Sequence, residues 1–171
     1  MQTKNTAPTH VTHSSIPIFI NNDSRIIILG SLPSVKTREV GFYYAHPRNK
    51  FFKVLSSIFN EEEPIGTEER KAFLYKHNIA LYDVIEECDI CGSSDSSIKN
   101  PVVVNLHDIL TRYPNIKTIG VNGNKAKELF NRYLLKTANE FDVKIYYLPS
   151  TSPANAKMGI DELVKQYSFI K

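Results

Sequence analysis

Ile26-Ile27-Ile28-Leu29 is a short apolar run with no polar alternation, and Gly30-Ser31-Leu32-Pro33-Ser34 stops it abruptly. A strand must be covered on both faces to tolerate four such residues in succession, which is the situation of the first strand of a parallel sheet. Gly30 permits backbone angles forbidden to other residues, and Pro33 fixes the direction of exit. In open parallel sheets the carboxyl ends of the strands are where ligands bind. The stretch from Arg25 to Phe52 therefore predicts both the class of fold and the place of a site.

The rest of the chain fits that start. Ile79 to Ile85, Ile116 to Val121 and Val143 to Leu148 predict three more buried strands. Helical spacing appears between them, from Asn49 to Phe59, from Thr67 to about His77, and from Ala126 to Ala138. A short helix capped by Asn105 runs to Tyr113, and a last one runs from Gly159 or Ile160 to Phe169. Strands alternating with helices predict an α/β fold, a three-layer α/β/α sandwich on a four-stranded parallel sheet. A chain of 171 residues with 42% hydrophobic and 23% charged residues suffices for one such domain. The expected boundaries are a loose Thr/His/Ser-rich segment over 1–15 and a single domain over 16–171. The polar stretch from Glu86 to Asn100 reads as a long loop.

No apolar run approaches membrane-spanning length and no signal-peptide core is evident, so the protein is expected in the cytoplasm, away from membranes. Cys88 and Cys91 are the only cysteines. A zinc site would need two further ligands at suitable spacing, and Gly92-Ser93-Ser94 is not the helix start that follows a redox C-x-x-C. Two reduced thiols are the preferred reading. The formal charge of +3 and pI near 8.8 permit a polyanionic partner without demanding one.

Locally the balance is more informative. Lys36, Arg38, Arg48, Lys50 and Lys53 stand against Glu39 alone, interleaved with Phe42-Tyr43-Tyr44 and Phe51-Phe52. Cations among aromatics suit nucleic acid, with at least one ring facing a cleft to stack on a base and others in the core. Gly30 to Ser34 and Pro149 to Asn155 are two proline turns rich in hydroxyls and backbone N–H groups, suited to phosphates. There is no G-x-G-x-x-G after the first strand, no phosphate loop, no nucleophile elbow and no carboxylate pair. Such a site suits a reaction driven by a good leaving group and a stabilised cation, without metal or cofactor.

Four stretches, Leu29 to Ser34 (LGSLPS), Gly41 to Phe52 (GFYYAHPRNKFF), Gly92 to Asn100 (GSSDSSIKN) and Leu148 to Ala156 (LPSTSPANA), resemble the uracil-DNA glycosylase superfamily. Within it they look like the hypoxanthine-DNA (deoxyinosine) glycosylase branch. The resemblance implies an enzyme that flips a deaminated nucleotide out of single- or double-stranded DNA and hydrolyses its N-glycosidic bond. Deoxyinosine is the first expected substrate, with uracil or mismatched thymine, or a non-catalytic DNA-binding role, as alternatives.

Related enzymes carry Asn or Asp at the third position of the first motif to place water. This chain has Leu32, and the resemblance shifts that duty to Asn49, which either holds the water or donates to the departing base. Tyr44 stands where an aromatic stacks on the flipped base, and His46 either donates to base or phosphate or shapes a His-Pro turn. Gly30, Ser31, Phe42, Tyr44 and His46 are thus expected around the base. Ser34, Arg48, Ser150, Thr151, Ser152, Asn155 and Lys157 are expected on DNA. No lysine is placed as a Schiff-base nucleophile, so no lyase step is expected, and the protein is expected to act as a monomer. Hypoxanthine differs from adenine by exchanging donor and acceptor along one edge, so a rigid polar pocket could separate them.

Overall fold

The computed structural model describes residues 7–91 and 95–171. In chain order the elements are β1 (Thr9–Thr12), a 3-10 turn (His13–Ser15), β2 (Ile26–Gly30), α1 (Val35–Val40), α2 (Phe51–Phe59), α3 (Thr67–Lys76), β3 (Ile79–Asp83) and β4 (Ile85–Ile90). They continue as β5 (Lys99–Val103), α4 (Leu106–Arg112), β6 (Thr118–Asn122), α5 (Asn124–Tyr133), α6 (Leu135–Ala138), β7 (Lys144–Leu148) and α7 (Ile160–Tyr167).

Strands β3-β2-β6-β7, in that order, form the parallel sheet. Ile26 to Gly30 and Ile79 to Asp83 are buried at every position, as the apolar runs Ile26 to Leu29 and Ile79 to Tyr82 require, and Asp83 is a charged residue carried inside at the strand end. In register, Gly30 lies beside Asp83, Leu29 beside Val121, and Asn122 beside Leu148. Helices α2 and α7 pack on one another, as do α4, α5 and α6. These are the two outer layers that right-handed crossovers in opposite directions place on opposite faces. The chain leaves β2 toward β3 but reaches β7 from β6 in the other direction. The switch between β2 and β6 opens a crevice at their carboxyl ends.

Three sequence expectations need correction. Residues 9–12 are not loose: β1 pairs antiparallel with β4, Thr9 beside Ile90 and Thr12 beside Glu87. Nor is Glu86 to Asn100 one loop, because β4 and β5 complete a second, antiparallel sheet in the order β1-β4-β5. Polar residues on its open face and two register shifts hide β4 from a search for alternation. Pro101 is tolerated because β5 is an edge strand. Gly92 to Ser94, within the GSSDSSIKN stretch, lie outside the described residues. Helix α1 is the third difference. Ser34 accepts the Thr37 N–H at 3.1 Å to start it, and Gly41, at φ 78°, ends it in the left-handed region.

Cys88 is buried in β4, where burial pushes its thiol pKa up, and Cys91 is half-buried; neither is in a disulfide. Among the described residues, no helix is long and apolar enough to cross a membrane.

Candidate active site

A cleft of about 1030 Å³ opens over the carboxyl ends of the parallel strands. Its floor is made where β2, β3 and β6 end. Gly30 matters there by proximity rather than by backbone angle, since a Cβ would overlap Asp83 Oδ1 and force that carboxylate to shift. Asn122, buried at the end of β6, donates through Nδ2 to Thr151 Oγ1 at 3.2 Å and accepts the Thr151 N–H at 3.3 Å. Gly123 follows at φ 97°, and a side chain there would press on Ser150 at 3.3 Å.

The aromatic segment splits between core and cleft. Phe42 packs edge-on against Phe19 at 5.6 Å, and Tyr43 donates from Oη to the Pro17 carbonyl at 3.1 Å. Tyr44 turns the other way. Its φ of 52° is uncommon for a bulky residue, a strained conformation of the kind concentrated at functional sites. One face of its ring stacks on Phe51 at 3.9 Å and 19°. Its hydroxyl is buried without a well-formed hydrogen bond, although Asn122 lies within interaction range. Burial, then the charge of Asp83, push its pKa up.

Beyond Tyr44 the chain makes a tight turn. The His46 carbonyl accepts the Asn49 N–H at 2.8 Å, and His46 Nδ1 accepts the Arg48 N–H at 3.1 Å. That bond makes Nε2 the N–H of the neutral ring. Asn49 Oδ1 accepts the Phe51 N–H at 3.0 Å, satisfying a donor at the start of α2. The amide is thereby oriented, and its Nδ2 has no protein acceptor among the described residues. The Lys50 N–H donates to the Thr151 carbonyl at 2.9 Å and Lys50 Nζ to the Met158 carbonyl at 2.6 Å. These bonds clamp the turn to the loop after β7.

That loop is built by its own side chains. Ser150 Oγ accepts the Ser152 N–H at 3.1 Å, Ser152 Oγ accepts the Ala154 N–H at 3.2 Å, and Asn155 Nδ2 donates to the Ser150 carbonyl at 2.9 Å. Tyr167 anchors it from α7 by donating to the Pro149 carbonyl at 2.9 Å.

Of the residues expected at a site, Gly30, Ser31, Ser34, Tyr44, His46, Asn49, Ser150, Ser152 and Asn155 border this one cleft, as does Leu32. Four others do not. Phe42 is a core residue at 4% exposure, so it is not available to a base. Thr151, at 1% exposure, spends its side chain and backbone on Asn122 and Lys50, so it is not available to DNA. Arg48 and Lys157 are exposed but stand outside the cleft lining. Ser34 faces the cleft, yet its hydroxyl is committed to Thr37 as a helix cap. Neither Asn122 nor Asp83 was among the residues expected at the site, and His13 was expected in a loose segment. His13 Nε2 lies 3.0 Å from Asp83 Oδ2 beneath the cleft. Arg38 and Lys125 add cations to its walls.

The sequence model of the uracil DNA glycosylase superfamily matches residues 17–167. A protein of Methanosarcina acetivorans named hypoxanthine DNA glycosylase is 32% identical over 144 residues, covering 84% of this chain and 88% of the relative. Its namesake from Methanosarcina barkeri is 33% identical over 113 residues, or 66% of this chain and 72% of that one. The solution structure of a candidate uracil DNA glycosylase from Methanosarcina acetivorans superposes with a TM-score of 0.76 at 26% identity, covering 91% of this chain and 96% of the other. By sequence and by fold, the chain belongs to the uracil DNA glycosylase superfamily.

Proposed function

We propose that this chain is a monofunctional DNA glycosylase that removes hypoxanthine from DNA by hydrolysing the bond between base and deoxyribose, acting as a monomer. The observation that carries the reading is the oriented Asn49 amide, which borders the same cleft as Tyr44 and the rigid loop after β7. Two relatives named hypoxanthine DNA glycosylase support the choice of base.

As the glycosidic bond lengthens, positive charge grows on the sugar and negative charge on the purine. A donor fixed in advance stabilises that negative charge without reorganising. With Oδ1 held by the Phe51 N–H, Asn49 offers Nδ2 to the departing base. Leu32 also faces the cleft and has no group to orient water or balance charge, so the leaving base is where this site acts. Tyr44, backed by Phe51, presents its free face to the flipped base. The half-buried Ser150 and Ser152 hydroxyls already accept backbone N–H bonds and keep their own protons for phosphate oxygens. Weak pairing of hypoxanthine lowers the cost of flipping.

The test is incubation of the protein with duplexes and single strands carrying hypoxanthine, uracil, xanthine or mismatched thymine, followed by alkaline cleavage. Hypoxanthine is expected to be released fastest. Faster release of uracil or thymine would assign the enzyme to another base, and no release from any substrate would leave a DNA-binding protein.

A further inference from the structure

Four charged side chains border the cleft among the described residues, and three of them have an ion-pair partner. Lys36 pairs with Glu39 at 3.2 Å, Lys125 with Glu128 at 3.0 Å, and Asp83 with the imidazole of His13 at 3.0 Å. The fourth is Arg38. Among the described residues its side chain makes no ion pair, and its Nε is buried without an acceptor. Carboxylates stand nearby, yet none turns to it. Glu39 follows Arg38 in α1 and pairs with Lys36, while on β4 Glu86 accepts from Tyr82 at 3.0 Å and Asp89 from Asn100 at 2.9 Å. A charge held partly out of water without a partner is costly unless a ligand answers it.

The sheet order locates this charge. Burial and then Asp89 raise the Cys88 pKa, and the Arg38 charge opposes them, so the guanidinium stands beside β4. Ile90, at the end of the same strand, also borders the cleft. Strand β4 follows β3, one edge of the parallel sheet, whereas the loop carrying Ser150 and Ser152 follows β7, the other edge. Arg38 and those hydroxyls therefore stand on opposite walls, with the ends of β2 and β6 between them. A nucleotide drawn out of DNA brings its two flanking phosphates to the mouth of the pocket that receives its base. The serine hydroxyls reach one side of that mouth, and the half-buried Arg38 faces the other. Its planar fork offers paired N–H donors that match phosphate oxygens.

We propose that Arg38 grips a phosphate next to the flipped nucleotide, on the wall opposite Ser150 and Ser152. The proposal rests on the glycosylase reading. It gives the cleft one fixed cation for the strand that carries the lesion, and no preference among bases. Lys36 and Lys125 are not equivalent to it, because each already spends its charge on a glutamate one helical turn away.

The experiment measures the affinity of the whole protein for duplexes carrying 2′-fluorodeoxyinosine, whose fluorine disfavours positive charge on the sugar and keeps the base attached. Each phosphate flanking the lesion on its strand is replaced in turn by an uncharged methylphosphonate. The variants are Arg38→Gln and Arg38→Met, which remove the charge and break no ion pair, so either one carries the test. On the unmodified duplex they are expected to bind about tenfold more weakly than wild type, the scale of one charge-assisted contact, with a salt slope smaller by about 0.9. Wild type should lose about as much at one methylphosphonate, and at that position the variants should lose little further. Losses from variant and methylphosphonate that multiply at every position would overturn the proposal, as would variants that bind like wild type. A duplex with a tetrahydrofuran site, which has no base, should show the same loss on removing Arg38. A loss confined to the hypoxanthine duplex would move Arg38 to the base and overturn the proposal, and failure of both variants to fold would make it a structural residue. Failure of wild type to release hypoxanthine from ordinary deoxyinosine duplexes would instead overturn the glycosylase reading, separately from the binding result.

Discussion

Thr151→Val separates a residue that builds the site from one that touches DNA. Its side chain and backbone join Asn122 at the end of β6 to Lys50 at the entry of α2. Valine nearly matches threonine in shape and keeps both backbone bonds, to Asn122 Oδ1 and from the Lys50 N–H. It removes only the acceptor for Asn122 Nδ2, a contact of 3.2 Å around a side chain 8% exposed. A buried donor left unsatisfied costs about 1–3 kcal/mol. For a chain of this size each kcal/mol lowers the melting temperature by about 2–4 °C, so a fall of roughly 2–12 °C is expected. Denaturant and thermal melts read the stability, and a titration of DNA affinity against salt reads the phosphate contacts. DNA affinity at fixed salt should match wild type. A stability change under about 0.5 kcal/mol, together with weaker DNA binding at every salt concentration, would place the Thr151 hydroxyl on a phosphate and refute the clamp.

Further expectations concern the cleft and its surroundings. Tyr44→Phe removes a hydroxyl without a well-formed hydrogen bond and should leave stability and excision close to wild type, whereas Tyr44→Ala should lose about 1–3 kcal/mol of base stacking in the excision rate. Equal losses in the two variants would move the role from the ring to the hydroxyl. Arg48→Ala with Lys157→Ala should weaken binding to all sequences alike and reduce the salt slope by about 0.9 for each phosphate no longer neutralised, and an unchanged slope would remove both residues from the DNA surface. His13 holds its proton more tightly folded than unfolded, so its contribution is complete below pH 6.5 and is lost as pH rises through the higher folded-state value. The stability difference between wild type and His13→Gln should therefore shrink on going from pH 6 toward alkaline pH. A difference that stays constant or grows would contradict a His13 pKa raised by its place beside Asp83.

The parallel sheet was legible because Ile26 to Leu29 and Ile79 to Tyr82 run without polar alternation, and only burial on two faces explains such a run. The second sheet was not. Its strands β4 and β5 carry Glu86, Glu87 and Asp89 on one side and Lys99, Asn100 and Pro101 on the other, and its third strand, β1, joins β4 from 79 residues away. That pairing also hid His13, whose partner Asp83 is remote in sequence. Within the cleft, Tyr44 and Asn49 were singled out through motif likeness, and the Pro149–Asn155 turn by its prolines and hydroxyls as well. Whether a ring or hydroxyl points to the cleft or the core is decided by neighbours from other elements, and so Phe42 and Thr151 were misplaced. Gly30 was assigned to the right place for the wrong reason. Its freedom from a side chain serves Asp83 across the sheet rather than a turn.

Single-turnover release of hypoxanthine by wild type and by Asn49→Ala, under enzyme excess on a defined duplex, tests the assignment of this cleft most directly. Asn49→Ala loses the acceptor for the Phe51 N–H along with the proposed donor to the base, so a modest fall in melting temperature is expected. The folded variant should still bind the damaged duplex, while release slows by about 10²–10³-fold, the usual effect of removing one well-placed transition-state interaction. A folded Asn49→Ala that releases hypoxanthine at close to the wild-type rate would contradict the role given to this amide.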